Sequence, residues 1–572
     1  MSRISARKQT TIAALVVFCL IPFIRLGEGD LQSDEVLYAN RAESIVASGN
    51  LFPETPLKAF FGGQPPLVIW GMALAVKLLG FSSFSARLVS AISAAGIVLV
   101  IYWFALLILP QVYALGAAAL LASSSIFFRF SQLAQLDIPW ILFIAVAFAL
   151  FWYSRELEKR SLFVLAAVLF GLSFVAKLFV SIIPLGVLLL WIVLESRREN
   201  PVVRIKDVIQ FLVIIAIIAL PWHIWMLVHY GGEAYNVMIR QNVVMRATQG
   251  GEATVKETGK LFYINQLVVG FPLCVITSIF FLYRAVQIVR ARSLQSIQSL
   301  ELFLWIWLLV PLIALSIAKA EMQSYSAQML PPLALLTMLG VMEFSRADVG
   351  TWWRPTALIG AIAACAWGFS QVVRDGAREF FAPGSARAPV SDTLFIIAAS
   401  VVIICAAIMV VVSLQKKVLL KNIFLLVPTW GVALLIGVRV VVAAADTTEV
   451  RTTGARQVAA AIPASAPVAI ITGSHSEEDT RMQFQCYDAS QTLYKRLVLF
   501  DRDTFAQTPA IFPDSMHFVV LEKPDPYFFN DSSGRLAEAN LVAQQYVILV
   551  QSPKYELFAR GLARDLIHTQ HE

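Results

Sequence analysis

A chain of 572 residues that carries thirteen long apolar runs has very few folds open to it. The runs lie at about 11–29, 86–108, 112–130, 138–154, 161–176, 178–195, 208–229, 262–283, 300–318, 326–343, 355–373, 393–414 and 423–444. Crossing the hydrocarbon core takes about 20 apolar residues as a helix. A segment surrounded by lipid must satisfy its own backbone hydrogen bonds, which favours helices. Composition agrees, with 58% hydrophobic residues, 15% charged residues and a mean hydropathy of +0.72; soluble domains carry about 25% charged residues. The expected fold class is an all-α polytopic membrane protein.

Charge orients the spans. A fourteenth apolar run, 65–80, is short and contains Lys77, and we read it as a helix lying flat in the interface. The linkers after every second span then share a side with the basic N-terminus. They carry Arg155, Lys159 and Arg160; Arg197, Arg198, Arg204 and Lys206; Arg284, Arg290 and Arg292; Arg346 and Arg354; and Lys416, Lys417 and Lys421. This is the positive-inside pattern, and it accounts for the net charge of +7 without a nucleic-acid partner. The basic start followed by the run 11–29 reads as a retained signal anchor. Of five cysteines, Cys19, Cys274, Cys365 and Cys405 lie in apolar runs and only Cys486 lies in the tail. Neither a disulfide framework nor a thiolate metal site is expected.

Two further features follow from this topology. Asp34, Asp137, Lys177, Lys319 and Tyr325 all fall at helix ends on the opposite, outer side, which suggests one outward-facing site. The tail, 446–572, changes character: 467–473, 496–500, 517–522 and 545–552 read as buried strands, with helical composition at 453–464 and 533–544. A small α/β domain of residues 446–572 is expected after a membrane domain of residues 1–445.

The outer loop 30–85 opens with Ser33-Asp34-Glu35. Helix-start punctuation explains either acid alone, since Ser33 suits an N-cap and the helix dipole favours acids in the first turn. The wider pattern carries more: Asp34-Glu35, Tyr38-Ala39, Ser48-Gly49-Asn50, Pro65-Pro66-Leu67, Trp70 and Ala86-Arg87, in that order over more than fifty residues. It resembles the first outer loop of the GT-C polyprenyl-phosphate-sugar glycosyltransferases, nearest the aminoarabinose–lipid A transferases and related to the protein O-mannosyltransferases. Similar stretches follow around Asp137, Lys177, Pro221-Trp222, Tyr230-Gly231, 261–272 and 316–336, so the likeness covers about residues 10–345. Gln64, Gly63 and Leu37 stand where the aminoarabinose transferases have Lys, Glu and Arg. That removes the reason to expect zinc; no metal-binding residue or cofactor is expected from the sequence, which leaves metal dependence open.

The resemblance implies a glycosyltransferase of the bacterial inner membrane, acting singly on its periplasmic face and inverting the sugar's anomeric carbon. Its donor would be a polyprenyl-phosphate-linked sugar and its acceptor lipid A or another lipopolysaccharide component. A protein O-mannosyltransferase-like enzyme and a flippase of lipid-linked sugars are the alternatives. Asp34, Glu35 and Asp137 are the expected catalytic acids. Lys177, Lys319, Tyr325, Gln64, Arg129 and Arg240 are expected at the donor phosphate or substrate, with Arg246 a further outer-side cation. Cations suit this chemistry because charge grows on the phosphate as the glycosidic bond breaks.

Overall fold

The computed structural model describes residues 2–24, 26–27, 30–31, 34–52, 64–197, 204–248, 261–292, 298–345 and parts of 352–360. In the tail it describes 458, 461–462, 468–472, 497–501, 505, 511–512, 516–522, 532–551 and 555–560. The expected spans 393–414 and 423–444, most of 355–373 and the expected domain boundary at 445 lie outside these residues.

The first part is a helix bundle. Its helices are α1 (Ser2–Leu20), α2 (Asp34–Ser48), α3 (Leu67–Leu79), α4 (Ser83–Ala105), α5 (Gln111–Ser123), α6 (Ser125–Ser131), α7 (Asp137–Glu156), α8 (Arg160–Ala176), α9 (Ile182–Glu195) and α10 (Ile205–Tyr235). A π-helical stretch, Asn236–Met245, leads to the single turn α11 (Arg246–Thr248). Then come α12 (Phe262–Gly270), α13 (Cys274–Ala291), α14 (Ser299–Ile317) and α15 (Leu330–Phe344). Local chemistry sets several starts. Ser82 and Ser85 cap α4 reciprocally: each hydroxyl accepts from the other's backbone N–H, at 3.1 and 3.0 Å. Pro331 and Pro332 follow Leu330 in the first turn of α15, where the missing N–H groups have no intrahelical partner to lose.

Among the described residues, six helices are long and apolar enough to cross a membrane, or seven if the bent pair α5–α6 counts as one. The expectation of uninterrupted spans at 112–130 and 262–283 is corrected. The first bends by 64° at Ser124. The second is two helices, α12 and α13, separated at Phe271-Pro272-Leu273. The two breaks meet, because Ser124 Oγ donates to the Gly270 carbonyl at 3.1 Å. A Cβ at Gly270 would fall 2.4 Å from Ile126 Cδ1, so only glycine permits that approach. An apolar count registers composition and is blind to such breaks. α3, with 13 residues, is about 20 Å long, too short to span.

The core differs along the bundle. α4 and α5 pack against each other and both bury small residues, among them Ala91 and Ala94 of α4 and Ala114, Ala117 and Ala118 of α5; such residues let backbones approach closely. Toward the end away from α2, aromatic rings join α7, α9 and α14. Phe148 meets Trp307 and Phe303 at 4.9 Å each, and Trp152 meets Trp191 at 5.2 Å. Such pairs add about 0.5–1.5 kcal/mol each beyond area burial. At that same end Arg284 forks onto Glu301 and reaches Glu343 at 3.4 Å.

The tail residues form a five-stranded sheet of β1 (Val468–Thr472), β2 (Leu497–Asp501), β3 (Phe518–Glu522), β4 (Val547–Gln551) and β5 (Tyr555–Ala559), with α16 (Ser532–Ala543) before β4. Strand order is β2-β1-β3-β5-β4; β1 pairs parallel with β2 and β3, while β5 runs antiparallel to β3 and β4. Alternate residues of β1 and β3 enter two cores, Val468, Ile470, Phe518 and Val520 in one and Ala469, Ile471, Val519 and Leu521 in the other. A sheet covered on both faces reads as a continuous apolar run. β5 was not among the expected strands, because Glu556, its second residue, breaks the run; that side chain is buried and accepts from Gln551 Nε2 at 3.1 Å.

One close approach leads toward the site. At Gly171 on α8 a Cβ would lie 2.7 Å from Ile218 Cβ and 3.4 Å from Ile215 Cα of α10. Gly171→Ala should therefore cost about 1–3 kcal/mol through overpacking. The check is the unfolding midpoint of the purified protein in detergent, and an unchanged midpoint would contradict this packing.

Candidate active site at one end of the bundle

α4 and α7 start at the end of the bundle where α8 and α14 finish, and α2 lies across it. Turns between membrane helices are where polar groups escape burial in apolar surroundings. Asp34 opens α2 and is solvent exposed, one helical turn before the buried Tyr38. Burial raises the Tyr38 phenol well above its ordinary pKa, and the carboxylates of Asp34 and Asp137 raise it further. Tyr38 is thus a neutral hydroxyl in the field of both acids.

Asp137 opens α7, and Lys177 ends α8 where the chain breaks before α9. Their side chains form a buried ion pair at 2.5 Å, 10% and 11% exposed. The Lys177 ammonium also lies 4.9 Å from the centre of the Tyr325 ring, a cation–π geometry. Ser181 secures the break: its hydroxyl accepts from Trp140 Nε1 at 2.7 Å and from Ser173 Oγ at 3.0 Å.

Tyr325 extends the chain of contacts, since its hydroxyl accepts from Arg246 Nη1 at 2.6 Å. Two backbone bonds hold these loops together, Lys319 N to the Ala247 carbonyl and Ala320 N to the Arg246 carbonyl, at 3.1 and 3.0 Å. Arg129 at the end of α6 donates to Gln323 Oε1 at 2.8 Å, two residues before Tyr325. Asp137, Lys177, Tyr325 and Arg246 are therefore joined side chain to side chain, with Arg129 attached through Gln323.

Other expected site residues stand apart. Glu35 is 1% exposed and engaged with Arg87 at 2.8 Å. Arg240 is exposed on the π-helical stretch, donating to Asn236 Oδ1 at 3.4 Å. Gln64 is half-buried beside Pro65, and Lys319 is exposed. Among the described residues no cluster of three or more His, Cys, Asp or Glu side chains could hold a metal ion. No local pattern marks Arg246 as more than a general outer-side cation, since its link to Tyr325 spans 79 residues.

The Asp137–Lys177 pair generates a prediction. Removing one partner of a buried pair strands the other charge, at about 3–5 kcal/mol, whereas replacing both with apolar groups is far milder. Lys177→Met should lower unfolding stability in detergent by that amount, and Lys177→Met with Asp137→Leu should recover most of it. A double variant no more stable than the single would show that the pair is not coupled.

Residues 63–225 match the family described as dolichyl-phosphate-mannose-protein mannosyltransferase. Curated relatives include the undecaprenyl phosphate-alpha-4-amino-4-deoxy-L-arabinose arabinosyl transferases of Erwinia tasmaniensis and Pseudomonas savastanoi pv. phaseolicola. They are 24% and 27% identical to 53% and 61% of this chain. The matches span 54% and 64% of those relatives, less than two thirds of either. The crystal structure of ArnT from Cupriavidus metallidurans bound to undecaprenyl phosphate superposes with a TM-score of 0.67 at 16% identity. That likeness covers 96% of this chain and 97% of the other. The archaeal oligosaccharyltransferase AglB from Archaeoglobus fulgidus, in complex with an inhibitory peptide and a dolichol-phosphate, gives 0.54 at 12% identity over 97% and 74%. At these identities the two structures bear on the fold alone. The chain thus has the fold of the GT-C enzymes and resembles the polyprenyl-phosphate-sugar glycosyltransferases among them.

Proposed function

We propose that the protein transfers one sugar from a polyprenyl-phosphate donor to lipid A or another lipopolysaccharide acceptor at the periplasmic face of the bacterial inner membrane. The observation that carries this reading is the joined set Asp137–Lys177–Tyr325–Arg246, adjoining the Asp34 end of α2 through Tyr38. It combines cations for a phosphate with a carboxylate for an acceptor, on a fold shared with an undecaprenyl-phosphate-bound structure.

The acceptor oxygen attacks the anomeric carbon from the face opposite the phosphate. The C–O bond to phosphate breaks, its electron pair stays on the leaving oxygen, and the configuration inverts. Lys177 and Arg246 stabilise that growing charge, and the Tyr325 ring and hydroxyl hold the two cations in place. Where the acceptor is a hydroxyl, Asp34 takes its proton; where it is an ionised phosphate, Asp34 orients it. Asp137 keeps Lys177 directed into the site. Arg129, Lys319, Gln64 and Arg240 are available to the outer parts of the substrates.

The test reconstitutes the protein with undecaprenyl-phosphate aminoarabinose and reads the mass of lipid A, with a Ser/Thr peptide offered in parallel. With a hydroxyl acceptor, Asp34→Asn should lower kcat by about 10²–10⁴. Tyr325→Phe should raise the donor KM about tenfold, as expected from losing a hydrogen bond to a charged group worth about 1.5 kcal/mol. Wild-type turnover by Asp34→Asn would remove the catalytic assignment, and modification of the peptide alone would redirect the acceptor.

A further inference from the structure

Glu35 is the chain neighbour of Asp34, yet its carboxylate faces the bundle. Oε1 accepts from Arg87 Nε at 2.8 Å and from the Ala134 backbone N–H at 2.8 Å, and Oε2 accepts from Arg87 Nη2 at 3.1 Å. The Arg87 guanidinium donates also to the carbonyls of Leu26, at 3.2 Å, and Asp30, at 3.0 Å. Ser90, nearly one turn further along α4, donates to the Gln135 carbonyl at 3.2 Å. The amide of Gln132 donates to the Ile24 carbonyl. Three segments are thereby fastened to the start of α4: the chain leaving α1, the start of α2, and the turn that ends three residues after Ala134 in Asp137.

Such a cluster is a poor way to gain stability, because desolvating an ion pair offsets most of its attraction. What it supplies is geometry, since a planar fork of donors fixes direction as well as distance. The two segments it joins are the two that begin with Asp34 and Asp137. We propose that Glu35 and Arg87 are positioning residues, a buried brace that sets the separation of the Asp34 and Asp137 carboxylates across the site. This rests on the reading above that both acids serve one reaction. A misplacement of about 1 Å can cost about 10² in rate, and the loss falls on kcat because donor contacts through Arg246 and Tyr325 lie on other elements.

The experiment compares wild type with Glu35→Gln, Arg87→Lys and Ser90→Ala, purified in the same detergent. Two quantities are read: hydrogen exchange of the peptides spanning 131–137, and kcat with donor KM. Glu35→Gln keeps side-chain size but turns an amide donor toward Arg87. It should speed exchange at Ala134 and lower kcat about 10²-fold, with donor KM within about threefold of wild type. Ser90→Ala breaks only the Gln135 link and leaves no buried charge, so it stays folded should the other two not. It should give the same pattern at about tenfold. Wild-type exchange and kcat in Ser90→Ala and in any folded Glu35 variant would overturn the proposal, as would a raised KM with unchanged kcat. If wild type transfers no sugar from any polyprenyl-phosphate donor, the glycosyltransferase reading falls, and the exchange readout still decides whether the brace exists.

Discussion

A guanidinium buried at one end of the helix bundle governs the rest of this architecture. Arg87 is 3% exposed and serves a carboxylate and two backbone carbonyls drawn from residues 26–35. Both carbonyls lie where the chain has left α1, outside any helix. In apolar surroundings an unmatched carbonyl or carboxylate costs several kcal/mol. Leu26, Asp30 and Glu35 therefore converge on Arg87. Glu35 is held there at the start of α2, next to the exposed Asp34.

From this point outward the ionisable groups form a gradient. Glu35 is committed on both oxygens and is 1% exposed. Asp137 is 10% exposed and shares its charge with Lys177. Asp34 is open to solvent at a helix N-terminus. Exchange of a proton with an incoming group requires access, so three acids of similar intrinsic chemistry acquire different capacities from their burial. The same sorting holds for the cations. Lys177 is fixed by Asp137 and an aromatic ring, Arg246 by a phenol, and Lys319 is exposed.

Much of this was legible in the sequence, and the parts that were not share a cause. Asp34, Asp137, Lys177 and Tyr325 could be located because each sits at the edge of an apolar run, a local signal. The first-turn position of Glu35 looked the same as that of Asp34. Only a partner 52 residues away distinguishes them. Arg246 lacked any local mark, since its place depends on backbone bonds between residues 246–247 and 319–320. Of the helix breaks, the one at Phe271-Pro272-Leu273 carries a local mark in its proline, whereas its meeting with the bend at Ser124 depends on a hydrogen bond between distant segments. β4 and its neighbours stood out as apolar runs, whereas β5 relies on Glu556 finding Gln551 across the hairpin.

The charge inventory of the site bears on how binding relates to turnover. In the proposed reaction the charges of Asp137 and Lys177 offset each other, so that pair presents little net field to a donor whose phosphodiester bears a single charge. As the sugar departs, that phosphate becomes a monoester and approaches about −1.5 to −2. Cations already held in place by Asp137 and Tyr325 gain more from that added charge than from the donor itself. Interactions that strengthen along the reaction coordinate raise the rate, while those equal in both states merely bind. Under that proposal, a neutralised pair such as Lys177–Asp137 would favour the transition state over the ground state, at the expense of a product phosphate held more tightly than the donor.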